Sequence, residues 1–279
     1  MSYIFITGVS SGIGLHATQF LIEKGYTIFG SVRKKEDAMH LSEQLGDAFI
    51  PILMDVTKED SIQQAFEFIK NKLEGKSLDA LINNAGIAAF GPILHLPMEK
   101  VRQQFDVNVI GLIQVTQTFL PLLGASKNFE GQAGRIINIS SVSGRISSPF
   151  LAVYSASKFA VEALSDGLRR ELSIYNIPSI SIQPGPIKTN IWNKTRGQEE
   201  PYLDTDYGDI LKDMNDELGK IEGGALAPER VSQTIYKALT SSRPKAHYMV
   251  VKNAGFMRLV ANLAPATFLD KVTTKRFKK

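Results

Sequence analysis

The chain has 279 residues, 43% hydrophobic and 22% charged, which suits a full apolar core and excludes a disordered chain. It contains no cysteine, so disulfides, thiol nucleophiles and thiolate metal sites are excluded, and its four histidines, His16, His40, His95 and His247, show no metal-ligand spacing. The net charge of +4 is uneven: between Gly255 and Lys279 six basic residues face Asp270 alone, giving that tail +5 and leaving the body at −1, which argues against a nucleic-acid binder.

In chain order, YIFIT (3–7) reads as a buried strand and is followed by TGVSSGIG (7–14), a turn carrying Gly8, Gly12 and Gly14. The segment GIGLHATQFLIEKG then has Ile13, Ala17, Phe20 and Leu21 at helical spacing, and Gly25 ends it. TIFGSV (27–32) and FIPILMD (49–55) read as strands two and three. DSIQQAFEFIKNKL predicts a helix opened by an Asp/Ser cap before Ile62, Phe66 and Ile69. ALIN (80–83), RIINIS (135–140) and SISIQP (179–184) are further strands, with a polar loop at 124–134 before the fifth. KFAVEALSDGLRREL predicts a helix packing through Phe159, Ala163, Leu164, Leu168 and Leu172. PERVSQTIYKALTS is helical, and HYMVV (247–251) makes about seven strands in all.

Continuous apolar strands alternating with helices predict one α/β domain over residues 1–279: a doubly wound parallel sheet with helices on both faces. Residues 190–227 hold little strand pattern and predict a substrate-covering loop. No apolar stretch reaches the roughly 18 residues of a membrane helix, and no leader is visible, so a cytoplasmic location is expected. A glycine turn between strand and helix lets a phosphate approach the helix N-terminus, although such a turn also occurs without a ligand.

Six motifs in order carry a resemblance to the short-chain dehydrogenase/reductase family: TGVSSGIG, LMDVT, NNAG, the asparagine of FDVNVIG, Ser141 with YSASK, and PGPIKT. The resemblance covers about residues 3–190 and implies a Rossmann fold binding a nicotinamide dinucleotide. It assigns the coenzyme to Gly8, Ser10, Ser11, Gly12, Ile13 and Gly14 of the turn, to Asp55 and Val56 beside adenine, and to Asn83, Ala85 and Gly86. Pro184, Gly185, Ile187 and Thr189 would lie beside nicotinamide. In the family register neutral Val32 stands where an acidic residue would select NAD, and Arg33 follows, whose guanidinium suits a 2′-phosphate. NADP(H) is therefore expected, with NAD(H) as the alternative.

The resemblance makes Asn108, Ser141, Tyr154 and Lys158 catalytic. Tyr154 and Lys158 are four apart, one helical turn, so the ammonium is expected to draw the phenol toward ionisation. Tyr154 would exchange the proton and Ser141 would hold the substrate oxygen, with Ser140 as the neighbouring alternative. Asn108 would place a water that links Lys158 to solvent, and Tyr154 and Lys158 would also meet the coenzyme. Phe90, Phe150 and Trp192 are expected to line an apolar substrate pocket with Ser141, and Tyr202, Tyr207 and Met214 to cover it. The implied substrate is a carbonyl or secondary alcohol on a lipophilic skeleton, such as a steroid, retinoid or ketone. A non-catalytic NADP-sensing protein on the same fold is the alternative. A homodimer or homotetramer is expected, paired through the helix of Phe159, Ala163 and Gly167. The tail 255–279 has Phe256, Leu259, Val260 and Leu263 at helical spacing, a break at Pro265, then Phe268, Leu269 and Val272. It reads as a terminal helix packed on protein, or as a weak membrane-surface contact.

Overall fold

The computed structural model describes residues 2–189, 197–213 and 223–274. Seven strands, β1 (Ser2–Ile6), β2 (Tyr26–Val32), β3 (Phe49–Leu53), β4 (Ala80–Asn83), β5 (Arg135–Ile139), β6 (Ser179–Pro184) and β7 (His247–Val250), form one sheet in the order β3-β2-β1-β4-β5-β6-β7. Every pairing is parallel, from Ile4 opposite Ile28 to Ile182 opposite Tyr248. The chain order reverses between β1 and β4, and a crevice opens at the carboxyl ends of strands at such a reversal.

Strand side chains alternate between two cores. Ile4 and Ile6 of β1 meet Leu21 of α1 (Gly12–Glu23) and Val231 and Ile235 of α7 (Pro228–Thr240) on one face. Tyr3 and Phe5 meet Ile62 and Ile69 of α3 (Glu59–Leu73) and Val115 and Phe119 of α5 (Gly111–Phe119) on the other. A strand buried on both faces has no polar side to show, which is why these runs read as continuously apolar. Helix α2 (Lys35–Leu45) covers the first core through Leu41.

Three details depart from the sequence expectations. The predicted Asp/Ser cap lies inside α3: the helix starts at Glu59, and the Ser61 hydroxyl instead accepts the Asp55 backbone N–H at 3.0 Å. Met98–Leu123 runs as one helical stretch of 26 residues, long and apolar enough by length and composition to cross a membrane, but Val115, Phe119 and Leu123 are wholly buried on the sheet, so it is a core element. That run comprises α4 (Met98–Phe105), a π-turn at Asp106–Ile110, α5 and a short 3₁₀ turn.

The third concerns α6 (Ala152–Glu171). Its buried face is Val153, Ser155, Ser157, Lys158, Val161, Glu162 and Ser165, while Phe159 and Ala163 of the predicted packing face are exposed. Beyond β7 the chain forms α8 (Ala254–Leu263) and α9 (Ala266–Thr273), broken at Pro265 as expected, with no residue fully buried in either.

Candidate active site

At the carboxyl end of β1 the chain turns through Gly8 at φ +70° and Gly12 at φ +64° before entering α1. Only glycine takes such angles without strain. A Cβ on Gly8 would stand 2.9 Å from Ala85 Cα, and one on Gly14 would collide with the Asn84 amide and the Gly8 carbonyl. The turn is therefore packed against the end of β4. Asn84 Nδ2 donates to the carbonyls of Thr7 and Gly8 at 2.8 Å each, and Thr7 Oγ1 accepts the N–H groups of Asn84 and Ala85 at 3.0 Å. The Gly8 N–H donates to Ser31 Oγ at 3.0 Å. Ser11 is the N-cap of α1, and the first turn holds no acidic side chain, so the helix terminus stays attractive to an anion. Thr189 reaches back over this turn, its Cβ 3.6 Å from where a Gly12 Cβ would stand. These features fit a dinucleotide's pyrophosphate.

At the far end of the crevice Val32 is buried and Arg33 is exposed. No hydrogen bond or ion pair among the described residues holds the guanidinium. The Asp55 carboxyl is raised by burial, yet hydrogen bonds from Thr57 and the Arg33 charge outweigh this and keep it below its ordinary range. Val56 is spent on packing, its carbonyl 2.7 Å from where a Gly111 Cβ would stand. Asn83 is buried too, its amide donating to Thr116 Oγ1 and Asn138 Oδ1 at 2.9 Å each, so any contact it makes in the crevice falls to its backbone. Gly185 permits the close approach of Val251, and Ile187 sits in the first core and bridges to Leu226.

The four predicted catalytic residues meet at the ends of β4 and β5. Ser141 and Ser140, alike in the sequence, separate here. Ser141 faces the Tyr154 hydroxyl, accepts the Ser143 N–H at 3.1 Å and lies 3.4 Å from the Pro184 carbonyl, whereas Ser140 turns to the Lys158 carbonyl and to Glu162. Lys158 Nζ lies 5.8 Å from the centre of the Tyr154 ring and donates to the Ile139 carbonyl at 2.9 Å. A Cβ on Gly86 would stand 3.4 Å from Asn108 Oδ1 and 3.7 Å from Lys158 Nζ, so both groups lie close to the chain just beyond β4.

Burial lifts the Tyr154 phenol above its usual range, with the Ser141 hydrogen bond opposing. The sequence assigns Lys158 the main influence on this phenol; in the folded protein burial has it. Lys158 itself is drawn down to about 8, by burial against the charge of Glu162.

Asn108 occupies the π-turn, which aims its amide at the loop after β4: Oδ1 accepts the Ile87 N–H at 2.9 Å, and Nδ2 donates to the Ile87 carbonyl at 3.0 Å and Ser157 Oγ at 3.1 Å. π-turns recur at functional sites because the extra residue re-aims a side chain.

Two positioning residues escape the sequence reading. Gln104, wholly buried, accepts the Ala89 N–H at 2.6 Å and donates to the Ile87 carbonyl and Ser157 Oγ. A signal existed: a polar residue one helical turn before Asn108. Glu162 is the other. Its carboxylate accepts Ser181 Oγ, Gln183 Nε2 at 2.6 Å and His247 Nδ1 at 3.0 Å, and His247 Nε2 lies 3.1 Å from Asp166.

Phe90 and Phe150 join Leu96, Val153, Tyr202 and Leu211 in a third apolar cluster, in which Val153 directly precedes Tyr154 in α6. Phe150 holds a left-handed backbone at φ +62°, and its carbonyl accepts the Gly91 N–H. Tyr202 comes from the predicted covering loop. Its buried hydroxyl has no partner among the described residues, and burial raises its pKa. Trp192 and Met214 lie outside the described residues.

A family model described as short chain dehydrogenase matches residues 2–200. The chain is 43% identical over 279 residues to the NADPH-dependent 3-dehydrocapnine reductase of Ornithobacterium rhinotracheale, covering 100% of this chain and 98% of that protein. It is 31% identical over 284 residues to retinol dehydrogenase 7 of Rattus norvegicus, covering 97% and 87%. Among solved structures, a short chain dehydrogenase from Burkholderia cenocepacia J2315 in complex with NADP has a TM-score of 0.75 at 23% identity, covering 98% and 97% of the two chains, a likeness in fold.

Proposed function

The chain belongs to the short-chain dehydrogenase/reductase family, and from that premise we propose that it is an NADPH-dependent reductase that converts a lipophilic ketone to a secondary alcohol. The observation that carries this reading is the placement of Tyr154: it shares one face of α6 with Lys158, whose Nζ lies 5.8 Å from its ring, and burial raises the phenol, which suits a proton donor. A proton donor is what carbonyl reduction needs.

The roles follow from the atoms. In this reading the Ser141 and Tyr154 hydroxyls together hold the ketone oxygen. NADPH, when bound, supplies the hydride to the carbonyl carbon. As the oxygen gains negative charge, Tyr154 gives up its proton, and the Lys158 ammonium, 5.8 Å from the ring, stabilises the phenolate left behind. Asn108 and Gln104 hold the loop at Ile87 against α6, which keeps the floor of the crevice in place. The glycine turn takes the pyrophosphate and Arg33 the 2′-phosphate.

The coenzyme and the direction are further supported by the name of the Ornithobacterium relative, an NADPH-dependent reductase. The apolar cluster of Phe90, Phe150 and Val153 supports a substrate with a hydrocarbon skeleton.

The test is loss of reduced-nicotinamide absorbance with a panel of ketosteroids, retinoid aldehydes, long-chain keto compounds and small ketones. NADPH should be consumed with at least one apolar substrate. Tyr154→Phe should reduce turnover by about 10²–10⁴-fold and leave NADPH binding unchanged. Turnover within tenfold of the parent would remove Tyr154 from the mechanism, and activity with NADH alone would overturn the coenzyme assignment.

A further inference from the structure

Helices α8 and α9 present an apolar face to solvent. Phe256 is 65% exposed, Leu259 55% and Leu263 70%, at spacings of three and four along α8. Phe268 and Val272 continue the exposed apolar surface on α9, while the opposite side of α8, with Met257, Val260 and Ala261, is half-buried. Basic side chains flank this face: Arg258, Lys252 and Lys271 are exposed. Four of the last five residues of the chain are also Lys or Arg.

The position of this face matters as much as its composition. Helix α8 follows the carboxyl end of β7, the same sheet edge at which Ser141 follows β5. Arg145, four residues beyond Ser141, donates to Asn262 of α8 at 2.6 Å. Ile93 and Leu94, on the loop leaving the carboxyl end of β4, are also exposed. The apolar face therefore stands beside the crevice.

We propose that α8 and α9 dock this protein on an anionic lipid surface, apolar side chains in the acyl boundary and basic ones against the head groups. Charge decides the occupant. A second copy meeting this face about a twofold axis would set the exposed Lys252, Arg258 and Lys271 against their own counterparts, whereas an anionic surface complements them. At 10 and 8 residues the helices are too short to span a bilayer, so the contact is interfacial. Docking would bring the crevice mouth to the membrane, where an apolar ketone concentrates. Only this benefit rests on the reductase reading; the docking does not.

The experiment is flotation of the full chain with phosphatidylcholine vesicles, with and without phosphatidylglycerol, at low and high salt. The protein should float with the anionic vesicles only and detach in high salt. The double variant Arg258→Gln/Lys271→Gln, which alters only exposed side chains, should partition about 25-fold less, at roughly fivefold per basic residue removed. Phe256→Ser/Leu263→Ser should also lose flotation, and both variants should still reduce a water-soluble ketone. Absence of flotation, or flotation unchanged in the charge variant, overturns the proposal. So does a halved mass for Phe256→Ser/Leu263→Ser with flotation unchanged, which would make this face a contact between copies. Flotation needs no turnover, so its failure is distinct from failure of the reductase reading.

Discussion

Glu162 stands one helical turn after Lys158 on the buried face of α6, and four groups from β5, β6 and β7 converge on its carboxylate. Burial raises this carboxyl, but the hydrogen bonds from His247, Ser140, Ser181 and Gln183 prevail and hold it below the ordinary glutamate range. It thus remains charged, and its charge opposes the burial that draws Lys158 down to about 8. Replacing Glu162 with Gln removes that opposition. The alkaline limb of the reduction profile should then move to lower pH by about one unit, with kcat affected more than KM. A lower melting temperature with an unmoved pH profile would make Glu162 a clamp only. The stability sign is also fixed. A carboxyl with a depressed pKa contributes fully above about 4.3 and loses its contribution as the pH falls through the lower folded value, so the variant's acid-side stability curve should be flatter. Arg33 gives a second prediction. Arg33→Ala should weaken NADPH binding roughly tenfold to a hundredfold, about 1.5–3 kcal/mol for a charge-assisted contact, and leave NADH unaffected. Equal losses for both would assign Arg33 to the fold.

The glycine turn and α6 show how an element fixes chemistry. Gly14 allows α1 to begin against Asn84, and an added methyl group has no free space there. Gly14→Ala should push the turn from β4, costing about 1–3 kcal/mol of stability and lowering affinity for both coenzymes alike. Thermal melting and coenzyme titration read the two effects, and an unchanged coenzyme affinity would mean the phosphates sit elsewhere. Helix α6 buries a serine-rich, charged stripe because β5 and β6 supply partners for it: Asn138 Nδ2 donates to Ser165 Oγ at 2.9 Å, and Ile139 accepts Lys158. A buried polar group costs free energy unless it is paired, so this helix can lie only where these partners are.

At the scale of the molecule, one reversal of strand order brings distant segments together: residues 7–14, 84–87, 141, 154–158 and 189 share the carboxyl edge of the sheet. The outer side of α6 is left open there, with Phe159 46% exposed, and Ile110 and Ile113 are exposed on the helical run that includes α5. We expect copies of the chain to pair through this face as a homodimer or homotetramer. Light scattering should give a mass of two or four chains, and Phe159→Glu should lower it. A monomer at micromolar concentration would refute the pairing.

The sequence by itself determined the strands, their all-parallel arrangement and the reaction class. Strands buried on both faces are written as unbroken apolar runs, and ALIN falls on β4 without shift. A turn with Gly8, Gly12 and Gly14 between a strand and a helix also occurs without a ligand, and it became specific because five further motifs follow it in order. Tyr154 and Lys158 show their shared face because helical spacing is local. What depends on neighbours far along the chain was decided only by the tertiary structure. Periodicity placed Phe159 inside and Lys158 and Glu162 nowhere in particular, since a single helix does not reveal which strands will meet its polar stripe. The motif singled out Ser141, but the separate partners of Ser140 and Ser141 appeared only once β5 ended facing α6. Gln104 gained its role from loop 87–89, and the Tyr154 phenol took its pKa from burial more than from the lysine beside it in sequence. Hydrophobic pattern is a property of the segment, but burial of a polar group depends on the partner that receives it, and that partner is chosen by the fold.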